Sequence, residues 1–269
     1  MEEIIVSPSN PRIKNVIKLK EKSSERKSQD LIVVEGLREI MMAKENGFGI
    51  KTIFFCEDIA GKKSRELVAS VSHLVKISKS VFEKIAYRKN SDGLLALVRS
   101  KHVRLKDLKL SALPLLIILE SVEKPGNLGA ILRTADASGA DAVIVCDPKT
   151  DMYNPNLIRS SIGCVFSKQV VAASSEEVID FIREKKIRLY AAALTAKKRY
   201  TESDFTIGSA IVLGTEAEGL SPKWLSLADE QIKIPMLGKT DSLNVSASCA
   251  VIVYEAIRQR QTLSSATIQ

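Results

Sequence analysis

Three short segments hold residue types whose spacing suits catalysis. In the first, Pro125-Gly126-Asn127-Leu128-Gly129 is followed by Arg133-Thr134-Ala135 and ends at Gly139. A Pro-Gly turn, Asn127 as helix cap and a glycine stop describe an ordinary helix after a strand. That description leaves Arg133 unexplained, because Ala130 and Ala137 share its face and leave room for another backbone or a substrate beside the guanidinium. In the second, Gly214-Thr215-Glu216-Ala217-Glu218-Gly219-Leu220-Ser221 forms an acidic loop between glycines. It has neither the lysine of a triphosphate-binding loop nor the three glycines of a dinucleotide fingerprint. Two carboxylates would repel a phosphate, so the expected ligand is neutral or cationic, and a sulfonium suits it better than ATP. In the third, Ile234-Pro235-Met236-Leu237-Gly238 leads to Ser242-Leu243-Asn244-Val245-Ser246. A strand breaks at Pro235, a loop follows, and Ser242 or Asn244 caps the last helix.

Buried strands must hold these loops in place. Apolar runs at 115–119, 142–146, 189–193, 210–213 and 231–234 are near-continuous, which predicts a mostly parallel sheet covered by helices on both faces. The last helix, about 243–260, is apolar at Val245, Cys249, Ile252 and Ala256, a one-face spacing. The first half alternates too, with strands at 31–34, 52–56, 74–77 and 94–98 and helices at 37–45, 64–71 and 80–86 after a basic, helical or partly extended lead-in at 8–28. The expected organisation is a smaller α/β domain over 1–104, a linker over 105–112 and the larger α/β domain over 113–269.

Charge divides along the same line. Residues 1–110 hold 23 Lys and Arg against 14 Asp and Glu, whereas residues 111–269 hold 17 against 18. Positive charge gathered in one half is the footprint of a nucleic-acid docking surface. The candidate RNA contacts are Lys14, Lys18, Arg38, Arg88 and Lys89. Cys56, Cys146, Cys164 and Cys249 lie far apart with no CxxC pair, so neither a zinc site nor a disulfide framework is expected, only small buried hydrophobes. No apolar run could cross a bilayer and no secretion signal opens the chain, so the expectation is a cytoplasmic protein with no membrane or metal partner.

Taken in order, P-x-N-x-G with R-T-A, then G-x-E-x-x-G-L-S, then I-P-M-x-G with S-L-N-V-S resemble the three motifs of the SpoU/TrmH family of RNA 2′-O-ribose methyltransferases. The front half is similar to that family's substrate-binding domain at Ser9-Asn10-Pro11-Arg12-Ile13-Lys14, Val33-Val34-Glu35-Gly36-Leu37-Arg38 and Asp92-Gly93-Leu94-Leu95-Ala96-Leu97-Val98. Asp92 departs from the glutamine many relatives carry. The resemblance implies a C-terminal domain tied in a deep trefoil knot, a homodimer built across it, and S-adenosylmethionine bent in the knot against Leu213, Gly214, Ile234, Met236 and Leu243. Glycines at such strand ends permit close backbone approach to a flat ring.

A ribose hydroxyl is a poor nucleophile, so the site must supply alignment and a stabiliser for the developing alkoxide. The family's matching arginine has been proposed as a general base, but a guanidinium holds its proton. Arg133 is therefore expected to stabilise the oxyanion and a neighbouring phosphate, with the proton passing to phosphate or water. Asn127 and Asn244 would orient Arg133 and the ribose, Ser242 would hydrogen-bond within the site, and Glu216 would orient Arg133 or pair with it across the dimer. His73 and His102 fall in no motif, so histidine base catalysis is not expected. The separate front domain favours ribosomal RNA, by resemblance. The rivals are a non-catalytic ribosome-assembly protein that kept the fold, a transfer-RNA methylase, and an antibiotic-resistance methylase. The intact polar residues argue against the first.

Overall fold

The computed structural model describes residues 4–69, 71, 73–87 and 92–266, and divides them into two compact units. The first comprises residues up to Lys101 together with Tyr153–Ser167. Its elements are α1 (Pro11–Glu21), α2 (Ser23–Gln29), β1 (Leu31–Glu35), α3 (Leu37–Glu45), β2 (Ile50–Phe55), α4 (Lys62–Val68), β3 (Leu74–Lys76), α5 (Lys79–Ile85) and β4 (Leu94–Arg99). The sheet runs β1-β4-β2-β3, with β4 antiparallel to β1 and β2 and β3 parallel to β2. Helix α1 buries Ile13, Val16 and Leu19, and Asn10 caps it through Arg12 N–H, ahead of Pro11 at the first helical position. Asp92, the departure from the family pattern, accepts a hydrogen bond from Leu37 N–H and so satisfies the otherwise uncapped start of α3.

The second unit comprises His102–Met152 and Lys168–Gln269. It holds β5 (Leu115–Glu120), α6 (Pro125–Ser138) and β6 (Ala142–Cys146), after which α7 (Pro155–Ser160) and α8 (Cys164–Ser167) belong to the first unit. It continues with β7 (Gln169–Ala173), α9 (Ser175–Glu184), β8 (Arg188–Ala192), β9 (Lys198–Arg199), β10 (Ser209–Leu213), α10 (Pro222–Leu227), β11 (Glu230–Lys233) and α11 (Val245–Ala266). The strand order is β7-β6-β5-β10-β8-β11-β9, and every neighbouring pair is parallel. β6 and β10 are buried at every residue, and β5 at every residue but Glu120. That is why their sequences are apolar without alternation. Helix α11 packs on α6 and on β10, burying Val245, Cys249, Ile252 and Ala256 as the spacing predicts.

Four differences from the sequence reading have identifiable physical causes. The segment 153–167 packs with the first unit, where Phe48 meets Tyr153 and Phe166 edge-on and Tyr153 Oη donates to Lys101 O at 2.6 Å. The linker is folded in part: just before it Val103 bridges to Val171, and within it Leu105, Leu108 and Leu110 pack against the second core. β7 is an edge strand with only Val171 buried, so it carries little apolar signal. Asn127 does not cap α6, because Pro125 takes the first helical position, Lys124 becomes the cap residue and the asparagine side chain is left for other partners. All four cysteines are free and buried. No helix among the described residues is long and apolar enough to cross a membrane.

Candidate active site

Because the second sheet is parallel throughout, the carboxyl ends of β8, β10 and β11 share one edge. The chain order reverses around β5 and β10, and ligands favour the crevice at such a switch point. A cavity of about 520 Å³, within the range of cofactor pockets, lies beside that point, at the carboxyl ends of β8, β10 and β11. Leu213, Gly214, Ile234, Met236 and Leu243 all line it, together with Glu216, Ser242 and Asn244. Leu194 and Thr195, from the loop after β8, also line it, as do Ser248 and Ile252 of α11. Sequence reasoning missed these four, since the β8 loop carries no motif and the α11 residues read as ordinary packing positions.

The loop after β10 closes on itself, with Thr215 and Gly219 exchanging backbone hydrogen bonds at 3.1 Å each way. A Cβ at Gly214 would lie 2.0 Å from Gly219 O and 2.5 Å from Leu220 N. The glycine is thus required by the loop's own backbone, in addition to any ligand on the cavity side. This widens the expectation that a side chain at 214 merely fills the pocket.

The three motif segments converge on one carboxylate. Glu216 Oε1 accepts from Asn127 Nδ2 at 2.7 Å and from Asn244 Nδ2 at 2.6 Å, while its other oxygen is ion-paired with Lys124. Asn244 Nδ2 also lies 3.2 Å from Asn127 Oδ1. Its own Oδ1 accepts from Ser246 N–H at 3.0 Å, so Asn244 caps α11 while it serves the cluster. Lys124 above all, then Asn127 and Asn244, hold the Glu216 carboxyl below the usual glutamate range. The site is therefore assembled at neutral pH and loses this contribution as pH falls through that lowered value. The Lys124 pair also offsets the repulsion of phosphate expected of the acidic loop, a partner 92 residues away that local reading could not supply.

Arg133 is not part of this cluster. It is exposed on α6 and, among the described residues, makes no hydrogen bond or ion pair. It lies six positions after Asn127, which turns its side chain by about 240° and carries it about 9 Å along the axis. With both oxygens of Glu216 occupied within the protomer, the expectation that Glu216 orients Arg133 in the same chain does not hold. Ser242 lines the cavity and its hydroxyl lies 3.2 Å from Asp241 Oδ1. His73 and His102 are exposed and outside the cavity. In the first unit Lys14 and Lys18 are exposed one turn apart on α1, and Arg38 is exposed on α3. Arg88 and Lys89 lie outside the described residues.

The SpoU rRNA methylase family model matches residues 114–254, and an MRM3-like substrate-binding domain model matches residues 10–96. A 23S rRNA (uridine(2479)-2′-O)-methyltransferase from Streptomyces viridochromogenes is 30% identical over 244 residues, covering 87% of this chain and 85% of its own. A solved structure of an RNA 2′-O ribose methyltransferase superposes with a TM-score of 0.87 at 40% identity, covering 96% of this chain and 100% of its own. The SpoU methyltransferase AviRb from Streptomyces viridochromogenes, in complex with AdoMet, superposes with a TM-score of 0.88 at 29% identity, covering 94% and 98%. Motifs, fold and matched length agree: the chain belongs to the SpoU methylase family.

Proposed function

We propose that this chain methylates a ribose 2′-hydroxyl of RNA, ribosomal RNA in particular, using S-adenosylmethionine, and works in the cytoplasm as a homodimer. The observation that carries this reading is the meeting of Asn127, Glu216 and Asn244, from three separate segments, beside a largely apolar cavity at the carboxyl edge of the sheet. Leu213, Ile234, Met236 and Leu243 offer apolar surface for a flat ring, and Glu216 and Glu218 in the cavity wall suit a cationic ligand. When bound, S-adenosylmethionine supplies an activated methyl on a sulfonium, so the protein need only align the acceptor and stabilise its charge.

The catalytic residues are Arg133, Asn127, Glu216, Ser242 and Asn244, and Leu213, Gly214, Ile234, Met236 and Leu243 hold the cofactor. Arg133 stabilises the developing alkoxide and the adjacent phosphate, while the amides of Asn127 and Asn244, gathered by Glu216, hold the ribose. An exposed arginine that makes no hydrogen bond or ion pair with its own Glu216 acts at the site of a second copy, which makes the homodimer part of the mechanism. Residues 1–104 act in RNA docking and residues 113–269, apart from the segment 153–167 that packs with the first unit, in catalysis, with Lys14, Lys18, Arg38, Arg88 and Lys89 as docking contacts. A knot is supported by the path of the chain: β11 lies beyond β8, and residues 234–244 return past the loop 214–220 to reach α11 on β10.

The test is to map 2′-O-methyl positions in total RNA from cells with and without the gene, and to restore the missing position with purified protein and S-adenosylmethionine. Loss of one ribosomal position, restored in vitro, supports the reading. Loss of a transfer-RNA position moves the substrate, and no loss together with no cofactor binding by calorimetry favours a non-catalytic assembly protein.

A further inference from the structure

We infer that Lys124 is a positioning residue of the methyl-transfer site: its ammonium fixes the Glu216 carboxylate so that one oxygen gathers the amides of Asn127 and Asn244. The inference rests on the proposed function and adds a residue that the three motifs do not single out. Lys124 occupies the N-cap position of α6, immediately before Pro125, without a side-chain capping hydrogen bond. A residue before proline is confined to extended backbone, and Lys124 has φ −74 and ψ 117. The base of this long side chain is thus set by the chain rather than by packing, which makes an exposed lysine a usable anchor.

Glu216 needs such an anchor. It sits in the exposed loop closed by Thr215 and Gly219, and among the described residues its side chain is hydrogen-bonded or ion-paired to the two asparagines and Lys124 alone. The amides bind only Oε1, at 2.7 and 2.6 Å. With the second oxygen unheld, the carboxylate could rotate and exchange one amide for water. An ammonium on Oε2 blocks that rotation and leaves Oε1 to the two amides. The start of α6, where Asn127 is the third helical residue, favours a carboxylate as well.

Among the described residues no other charged side chain pairs with Glu216. Glu218 shares its loop, and Lys233 lines the same cavity. Lys149 is paired with Glu123 at 2.6 Å and interacts more weakly with Glu218. Lys124 is the cation in contact with Glu216, and it is the largest cause of that group's lowered pKa.

The test uses the full chain and the variants Lys124→Met and Lys124→Arg, with single-turnover methyl transfer to ribosomal RNA followed across pH. In Lys124→Met the rate at neutral pH falls about five- to tenfold, as expected when one charge-assisted hydrogen bond to an exposed group is removed. Its acid limb moves to higher pH, because Glu216 then protonates more readily. Cofactor affinity and melting temperature stay at wild-type values, and Lys124→Arg restores both the rate and the limb. Carboxyl titration of Glu216 by carbon-13 NMR, with Glu216→Gln for assignment, reads the same coupling without activity and moves upward in Lys124→Met. An unchanged acid limb and Glu216 titration in an active Lys124→Met enzyme would overturn the inference. A wild-type protein that methylates no RNA would instead overturn the proposed function, while the titration still reports on Lys124.

Discussion

Arg133 stands exposed on α6 with no hydrogen bond or ion pair among the described residues, an arrangement that makes its two readings separable by one substitution. A helix-surface cation can be truncated for no more than about 0.5 kcal/mol of stability. A donor aimed at a developing alkoxide is worth ~3–4 kcal/mol in the transition state, roughly a hundred- to thousandfold in rate. Arg133→Ala is therefore expected to slow single-turnover transfer by that factor while its melting curve and cofactor affinity stay unchanged. Arg133→Lys keeps the charge but loses the planar fork, and recovers only part of the rate. Wild-type transfer in the alanine variant would refute the role.

At the scale of an element, the loop from Gly214 to Leu220 decides whether the cofactor cavity exists. Gly214→Ala places a methyl 2.0 Å from Gly219 O, so the Thr215–Gly219 closure has to open and carry Glu216 away from Asn127 and Asn244. The expected result is loss of S-adenosylmethionine binding by calorimetry with an unchanged far-ultraviolet dichroism spectrum, since β10 ends at Leu213 and keeps its pairing to β5 and β8. Normal cofactor binding in this variant would place the pocket elsewhere.

Across the whole molecule, two expectations concern how copies and domains share the work. If Arg133 serves the partner's site, a purified heterodimer of Arg133→Ala and Asn244→Ala subunits contains one intact site and turns over at about half the wild-type rate. If both residues act within one chain, every site is damaged and the heterodimer is as slow as either parent. RNA docking is tested in the full chain, because residues 153–167 belong to the first unit and a cut at residue 110 would strip α7 and α8 from it. Lys14→Glu with Lys18→Glu should weaken RNA binding and flatten its salt dependence by about 0.7–0.9 in log slope for each RNA phosphate that is no longer neutralised. An unchanged slope would remove α1 from the docking surface.

The sequence alone determined the elements whose signal is local. Leu115–Glu120, Ala142–Cys146 and Ser209–Leu213 are legible because burial on both faces demands unbroken apolar runs, and Gly139 stops α6 in the left-handed conformation, φ 69, that glycine adopts without strain. The polar residues Asn127, Glu216 and Asn244 were legible as motif members. Their meeting was not, since the hydrogen bonds joining them span 89 and 28 residues and exist only once β5, β10 and α11 are packed. The same long range hid Lys124 as the partner of Glu216, and it turned Arg133 from an expected neighbour of Glu216 into an exposed side chain. Residues 153–167 went with the first unit because Phe48 offers Tyr153 and Phe166 an aromatic partner that no spacing in their own segment could announce. A local pattern records which face of an element is buried, whereas the identity of what buries it is decided by chain segments distant in sequence, and so by the tertiary structure.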